Sequence, residues 1–594
     1  MSKKASGEVK TRIIHNQQKN GDIYVLERKT LYDPEKKYNK VLSTKLLSKI
    51  PKGTEIPVPT RPKRNKKSNY HQNIPNSALQ NVVSTGDKVL ASRKRIGMMN
   101  IIDHIGKVSG IDDALYASTD VGTAQKIISL ARYLLATDGQ SLPGIATWQY
   151  NHPLPYREGL SEEVYHRLFK EVGLDESLQQ SFFKSRCDVL KGGAGIAYDS
   201  TTISTYSENQ LEARYGFNKA SDGLKTVKYL ALYSLENRQP IAFTKQSGDL
   251  PDVLTIGNAL SQLLALGVSG AEIITDNGYY SEQNISEMYQ AHFDFITLAK
   301  TGLKWIKSEI DAHYNDMDKL SSVCPYDPTT HGITVILMRD FIKVRKYANK
   351  KSRAEQGDEE IFSRRVYLHI FFNATRKVDE DQSFERDLLS LKKKLEEGTS
   401  IDDLNDAARK KVKKYFIIRT WGKKTVINFN EKACAQAKKY HGYFTLVSNS
   451  EKDTFKALSK YRKREHIEDY FRSSKQHADG MRVRVWDADT LRGRMFVQFI
   501  LLCYHEYLSE CIRKMKLSLG VSNGDHDHDL KLNLDLEKKL KSWLDNTPIY
   551  LQLQWFDTIE GVEISTTLHS KRCTTEITKR DNMYLEKLGL KSAF

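Results

Sequence analysis

Between residues 195 and 299 the order of apolar runs restricts the chain to few folds. Gly195-Ile196-Ala197-Tyr198 is short and apolar and ends on Asp199, and Val227 to Leu235 is rich in Val, Leu and Tyr. Pro240 to Thr244 follows a polar turn at Glu236-Asn237-Arg238. Pro251 to Leu266 has helical periodicity. Ala271 to Thr275 is a further strand and ends on Asp276, Ser281 to Ala291 is a helix, and Phe293 to Ala299 is a strand. The order β, β, β, α, β, α, β predicts an antiparallel meander continued by parallel, helix-linked neighbours, a mixed sheet of the α/β class flanked by helices.

The rest of the 594 residues groups around that segment. Residues 1–75 read as a basic hairpin and linker: Gly21 to Lys29 and Tyr38 to Ile50 alternate as strands around a turn at Asp33-Pro34-Glu35, and Arg61-Pro62-Lys63-Arg64-Asn65-Lys66-Lys67 lies in a Pro-rich extension. Residues 76–185 read as a helical DNA-binding domain, with i, i+3, i+4 apolar spacing in Asp87 to His104, Thr123 to Ala136 and Ser161 to Val172. Residues 186–300 form the first part of the core. Residues 301–442 break the rhythm and read as a large α+β insertion, with a charged helix at Gln382 to Glu397 and strands at Ile333 to Met338, Val366 to Phe372 and Tyr415 to Arg419. Residues 443–515 resume the core, with a strand at Tyr443 to Ser448 and long helices from about Lys452 to Gln476 and about Asp489 to Arg513. Residues 516–594 form a C-terminal region with a helix at Leu532 to Leu544 and a strand at Ile549 to Trp555.

Charge narrows the function. Lys and Arg outnumber Asp and Glu by 92 to 74, a net of +18, and residues 1–70 alone hold 18 basic against 6 acidic side chains. Such a chain is expected to meet a polyanion, with nucleic acid foremost and a solvated surface without a partner as the alternative. Several classes fall away. The most apolar stretch, Met495 to Leu508, carries Gln498, His505 and Glu506 and is too short and polar to span a bilayer. Met1-Ser2-Lys3-Lys4 opens no secretory leader, and six scattered cysteines without a C-x-x-C pair fit a reducing cytosol. No phosphate-binding G-x-x-x-x-G-K-[ST] loop is present.

Three carboxylates stand out. Asp199 and Asp276 close predicted strands, 77 residues apart, where α/β sheets collect ligands; the same residue type also forms turns and caps. Hard oxygen donors there suit Mg²⁺ or Mn²⁺. The third lies in the helix Tyr461 to Lys475. Tyr461, Arg464, Glu468 and Lys475 sit at offsets 0, 3, 7 and 14. At about 100° per residue they project within an arc of about 60°. Beside them Ile467, Phe471 and Ala478 make an apolar stripe that would bury the helix against a sheet. An amphipathic helix with i,i+4 charge pairs is the plain alternative. The chemical reading is that Glu468 completes a two-metal site for a phosphodiester while Arg464 and Lys475 hold phosphates.

At these residues the sequence resembles the DDE transposases of bacterial insertion sequences, in the group marked by a Y-(2)-R-(3)-E-(6)-K signature. Tyr461, Arg464, Glu468 and Lys475 match every spacing. Asp199-Ser200-Thr201 and Thr275-Asp276-Asn277-Gly278-Tyr279-Tyr280 look like the family's first and second catalytic segments, and the 192 residues from Asp276 to Glu468 fit its habit of inserting a subdomain there. Asn277 stands where several relatives carry a basic residue. The resemblance implies an RNase H-like core in which Asp199, Asp276 and Glu468 bind Mg²⁺, with Mn²⁺ tolerated. It implies cleavage of double-stranded DNA at transposon ends and joining of the 3′-hydroxyls to target DNA by a homodimer in a paired-end complex, in the bacterial cytoplasm at the nucleoid. Tyr461, Arg464 and Lys475 would contact end phosphates, with Arg472 on the same helix. An aromatic residue, with Trp421 or Trp305 as candidates beside a core role, would stack on a flipped base. Arg482, Arg484, Arg492 and Arg494 follow and are read as backbone contacts or surface residues. Asp525-His526-Asp527-His528-Asp529 reads as a solvated loop, and Cys503 and Cys511 as core residues. A DNA-binding protein derived from a transposase, and a nuclease of the same fold without strand transfer, are the alternative functions.

Overall fold

The computed structural model describes residues 9–18, 22–33, 38–50, 52, 90–189, 195–344, 357–421, 424–477, 482–520, 528–565 and 570–590. The Arg61 to Lys67 cluster, the turn at Pro34-Glu35 and most of the Asp525 to Asp529 run lie outside them, as does the side chain of Trp421. The chain forms two compact units, Met1–Gly86 and Asp87–Phe594.

The first unit contains an antiparallel sheet of β1 (Val9–Gln17), β2 (Ile23–Asp33) and β3 (Tyr38–Ile50), with β2 central. The sequence reading has only two strands here. β1 escapes it because nearly every residue of β1 is exposed, so no buried face imposes alternation. Asp22 ties the far end of the sheet, accepting from Lys52 N (3.1 Å) and pairing with Lys49 Nζ (2.7 Å).

The second unit opens with β4 (Leu90–Arg95), where a helix is expected from Asp87 to His104. The segment is a strand because it pairs with Glu560–Ser565, more than 460 residues away, a contact local periodicity cannot register. The helix begins only at Gly97 (Gly97–Val108). There a Cβ would stand 2.3 Å from Phe556 O, so the close approach requires glycine. Helices Ile111–Ser118, Val121–Ala136, Ile145–Asn151, Glu162–Leu174 and Glu176–Val189 follow in this region.

The strands that follow are β5 (Gly195–Thr205), β6 (Lys225–Ser234), β7 (Gln239–Ser247), β8 (Glu272–Thr275), β9 (Asp294–Ala299), β10 (Val323–Cys324), β11 (Asp327–Val344), β12 (Glu359–Asn373), β13 (Phe416–Trp421), β14 (Lys424–Phe429) and β15 (Tyr443–Ser448). Nine of them make one sheet in the order β10-β11-β12-β15-β9-β8-β5-β6-β7. β5, β6 and β7 form the expected antiparallel meander, and β5, β8 and β9 run parallel. Residues 301–442 are divided. β11 and β12 extend the main sheet, with Tyr367–Phe372 paired to β15. Helices Ala374–Glu396 and Asp406–Tyr415, hairpin β13–β14 and helix Glu431–Lys438 gather around a small separate core of Leu388, Leu404, Val412, Phe416, Ile427 and Cys434.

The 31-residue helix Ala488–Ser518 packs against helices Glu162–Leu174 and Val121–Ala136 and against β7, and its Phe496 and Phe499 pack edge-on against Phe183. Cys503 on it is fully buried and Cys511 half-buried. Ile549–Phe556 is a helix rather than a strand. Its alternation of Leu and Gln mimics period two, yet the residues it buries, Gln552, Leu553 and Phe556, follow helical spacing behind Pro548. Among the described residues no helix is long and apolar enough to cross a membrane.

Candidate active site

Parallel pairing places the first two carboxylates. β5 pairs with β8 through Gly195–Ala197 opposite Glu272–Ile274, and the same register two residues on sets Asp199 level with Asp276. Asp199 therefore lies inside β5, whose strand continues to Thr205 along β6, rather than at its end as expected from the sequence. It faces the site on the side of the sheet where Arg464 meets it. Asp276 begins a single turn, its Oδ1 accepting from Asn277 N at 2.7 Å. Asp199 Oδ1 accepts from Ser200 N (2.8 Å) and from Tyr279 Oη (3.4 Å).

The third carboxylate arrives on a broken helix. One helix, Thr454–Arg462, is capped by Asp453 and ends before Lys463; a second runs Glu465–His477. Across the junction Arg464 N bonds Tyr461 O (2.9 Å) and Ile467 N bonds Arg464 O (3.0 Å), the tighter i to i+3 pattern. The single continuous helix assumed for the projection is therefore absent, but the tight turn preserves the three-residue step from Tyr461 to Arg464. The second helix docks through Ile467, Tyr470 and Phe471, all buried, with Tyr470 Oη 2.7 Å from Tyr229 Oη on β6. Ala478, expected in this stripe, lies outside the described residues.

Arg464 joins the three acids. Its Nη1 donates to Asp199 Oδ2 at 3.0 Å, its Nη2 lies 4.0 Å from Asp276 Oδ2, and Nη2 also contacts Glu468 Oε1. Tyr461 Oη donates to Asp276 Oδ1 at 3.2 Å. Among the described residues no three His, Cys, Asp or Glu side chains lie close enough to hold a metal ion as placed, since the guanidinium stands among these carboxylates. Burial pushes the Asp199 carboxyl above its ordinary range, with Arg464 and Lys219 pulling the other way. Burial opposes the charge of Arg464, but Tyr461 and the three acids outweigh it and hold the guanidinium protonated. Burial, then the neighbouring Lys219, lowers Lys475.

Two of these participants are absent from the sequence expectations. Lys219 donates to Ser200 O at 2.8 Å from an irregular loop without periodicity. Tyr279 belongs to the Asp276-Asn277-Gly278-Tyr279 segment, but nothing in its spacing marks it as a partner of Asp199. The remaining expected residues separate. Arg472 turns outward and pairs with Asp469 at 2.7 Å. Arg482 lies 3.4 Å from Asp222. Arg484 and Arg494 line a cavity of about 270 Å³ with Tyr165 and His166, and Arg492 pairs with Glu176. Trp305 is covered by the Arg339 guanidinium at 4.2 Å.

No curated protein matches the sequence. Among solved structures the chain is similar to a cryo-EM structure of a piggyBac transposase synaptic complex with hairpin DNA, at 9% identity and a TM-score of 0.32, over 77% of this chain and 82% of that one. The family model described as the transposase DDE domain matches residues 191–504, a stretch that takes in more than half of the chain and all three carboxylates, so the chain belongs to the DDE transposase family.

Proposed function

We propose that this transposase binds the ends of an insertion sequence of the Y-R-E-K group, cuts phosphodiesters there and joins the 3′-hydroxyls to target DNA. The observation that carries the reading is the meeting of Asp199, Asp276 and Glu468 around one guanidinium, from positions up to 269 residues apart. The sheet order β7-β6-β5-β8-β9, antiparallel and then parallel, supports an RNase H-like core. Two chains pairing two DNA ends, in a bacterial cytoplasm, complete the proposal.

The donor set fits hard divalent cations, Mg²⁺ or Mn²⁺: three carboxylates, with no thiolate or imidazole among them. Asp199, Asp276 and Glu468 would hold such ions, which would supply a Lewis acid to activate the attacking oxygen and offset charge on the phosphoryl oxygens. The chain's own groups do the rest. Tyr461 Oη fixes the orientation of Asp276, and Tyr279 Oη and Ser200 N fix Asp199. Arg464 offers a planar fork of donors that suits phosphate as well as carboxylate. Lys475 and Lys219 add positive charge close by, which favours a DNA backbone at this face.

The test is Mg²⁺-dependent cleavage of DNA carrying the element's own end, with wild type beside Glu468→Gln. We expect the variant to bind the DNA and cut at least ~100-fold more slowly, since even outer partners of metal ligands are worth up to that much. If both bind and neither cuts with Mg²⁺ or Mn²⁺, the chain is a DNA-binding protein derived from a transposase. Equal cutting by both removes Glu468 from the site. Cleavage without joining of pre-cut ends to target DNA identifies a nuclease instead.

A further inference from the structure

The aromatic side chains that stand furthest into solvent belong to two segments bonded to each other. Tyr206, Tyr215, Phe217 and Trp486 are each 70% or more exposed, and no other aromatic residue among the described ones reaches that level. Single exposed rings are ordinary, whereas a group of them marks a contact surface.

The backbone beneath them is fixed. Val483 N donates to Ser204 O (3.0 Å), Ser207 Oγ to Trp486 O (3.2 Å), and Gln210 Nε2 to both Val485 O (3.1 Å) and Asp487 O (2.8 Å). Further along, Arg214 and Thr226 exchange both backbone bonds, at 3.1 and 2.9 Å. A Cβ on Gly216 would stand 2.4 Å from Gly248 O, so the loop lies directly on its neighbour. These rings are thus held out on an anchored loop, and their exposure does not come from loose chain.

Cations accompany the rings. The Arg482 guanidinium lies 4.9 Å from the Tyr206 ring centre, and Lys225 Nζ lies 5.7 Å from that of Tyr215. The Arg482 guanidinium is held beneath its ring by Asp222, 3.4 Å from Nη2, whereas Lys225 is left to the strip. The loop is also continuous with the active site. It leaves the end of β5, the strand that carries Asp199, and it returns through Phe217 to Lys219, whose Nζ bonds Ser200 O.

We propose that Tyr206, Tyr215, Phe217 and Trp486 form a binding strip for unpaired DNA beside the active site, the rings stacking on successive bases while Lys225 faces the phosphates between them. The pairing of flat rings with cations is what a single strand requires: its bases offer faces of any sequence and its backbone offers one negative charge per nucleotide. The proposal rests on the transposase reading above and deepens it, naming the strand opened next to the cut as the ligand.

The probe is a fluorescein-labelled oligo(dT) about 20 nucleotides long, long enough to cover more than one stacking site, beside a duplex of the same length. The Phe217→Ala/Trp486→Ala double variant is expected to bind oligo(dT) about 10-fold or more weaker, the loss that one or more removed stacking contacts produce. Its affinity for the duplex is expected to stay within about twofold, and Trp486→Phe, which keeps a stacking face, to bind oligo(dT) like wild type. Thermal melts of each variant report folding directly. Unchanged oligo(dT) affinity in the folded double variant overturns the proposal, and so does an equal loss on duplex. A sedimentation shift to smaller species with oligo(dT) binding intact also overturns it, and assigns the strip to a second copy of the chain. If wild type cuts its ends while the strip variants bind oligo(dT) normally, only the strip is wrong. If wild type cuts nothing, the transposase chemistry fails whatever the strip binds.

Discussion

Arg464 touches every acidic side chain of the site, and its own side chain is almost buried. Three carboxylates brought this close repel one another, and a buried acid left without its partner carries the full cost of desolvation. Replacing Arg464 by Gln removes the charge and leaves a shorter, neutral side chain with some hydrogen-bonding capacity. We expect Arg464→Gln to lose about 3 kcal/mol of stability in metal-free buffer, the scale for breaking a buried pair, seen as a melting midpoint several degrees lower. Added Mn²⁺ should then raise the variant's midpoint more than wild type's, because a cation restores what the guanidinium supplied. Arg464→Lys should recover little, since one ammonium cannot span acids that a planar fork reaches together. A variant melting with wild type in chelator would show that the acids do not depend on Arg464. At this scale the grouping of Tyr461, Arg464 and Glu468 is legible in the sequence, because they share one stretch and the tight turn after Arg462 keeps the step from Tyr461 to Arg464. Lys219 and Tyr279 are not legible, since their roles come from loops whose course is set by partners elsewhere.

Elements carried strong signals only where one buried face dictated the pattern. The meander β5 to β7 and the helix-linked β8 and β9 read directly, since most of their residues are buried and apolar. The break at Lys463–Arg464 did not, because both halves share one amphipathic period and only the tighter bonding separates them. The contact between helices Glu162–Leu174 and Ala488–Ser518 was equally hidden, for it depends on the absence of side chains. A Cβ on Gly493 would stand 1.8 Å from Phe169 O, and one on Gly173 1.8 Å from Asp489 O. The sequence reads a helix over Ser161 to Val172 and does not mark this contact, yet the two glycines let the backbones touch. Gly493→Ala must push the long helix away from helix Glu162–Leu174. We expect a loss of about 3 kcal/mol or more, the upper end for overpacking, even though alanine favours a helix. Denaturant unfolding checks this, and stability equal to wild type would mean the helices are not in backbone contact. A control at a position with open space, such as Gly159→Ala, is not comparable, because its left-handed backbone (φ 85°) adds strain of its own.

At the scale of the whole molecule, sheet membership was the least legible feature. β11 and β12 read as strands from their apolar runs, but what joins their hairpin to the main sheet is the pairing of β12 with β15, more than 70 residues away. An extent that reads in the sequence as one insertion is therefore part main sheet and part separate core. Charge, by contrast, needs no folding to be read, and it divides unequally between the two compact units. Residues 1–86 carry +12 of the net +18, leaving +6 for the much larger remainder. If that charge meets DNA phosphates, each contact releases counterions and steepens the fall of affinity with salt by about 0.9 in log–log slope. A fragment spanning Asp87–Phe594 keeps the nine-stranded sheet, all three carboxylates and their helices. We expect it to melt within a few degrees of the intact chain, because the first unit contributes its own separate sheet. Its affinity for duplex DNA should fall by about tenfold or more at low salt, and its salt slope should shrink by several contacts' worth. Titrations of labelled duplex at a series of salt concentrations, intact chain beside fragment, measure both quantities together. Equal slopes would mean that the basic first unit does not face DNA, and that the phosphate contacts all belong to the unit that carries the carboxylates.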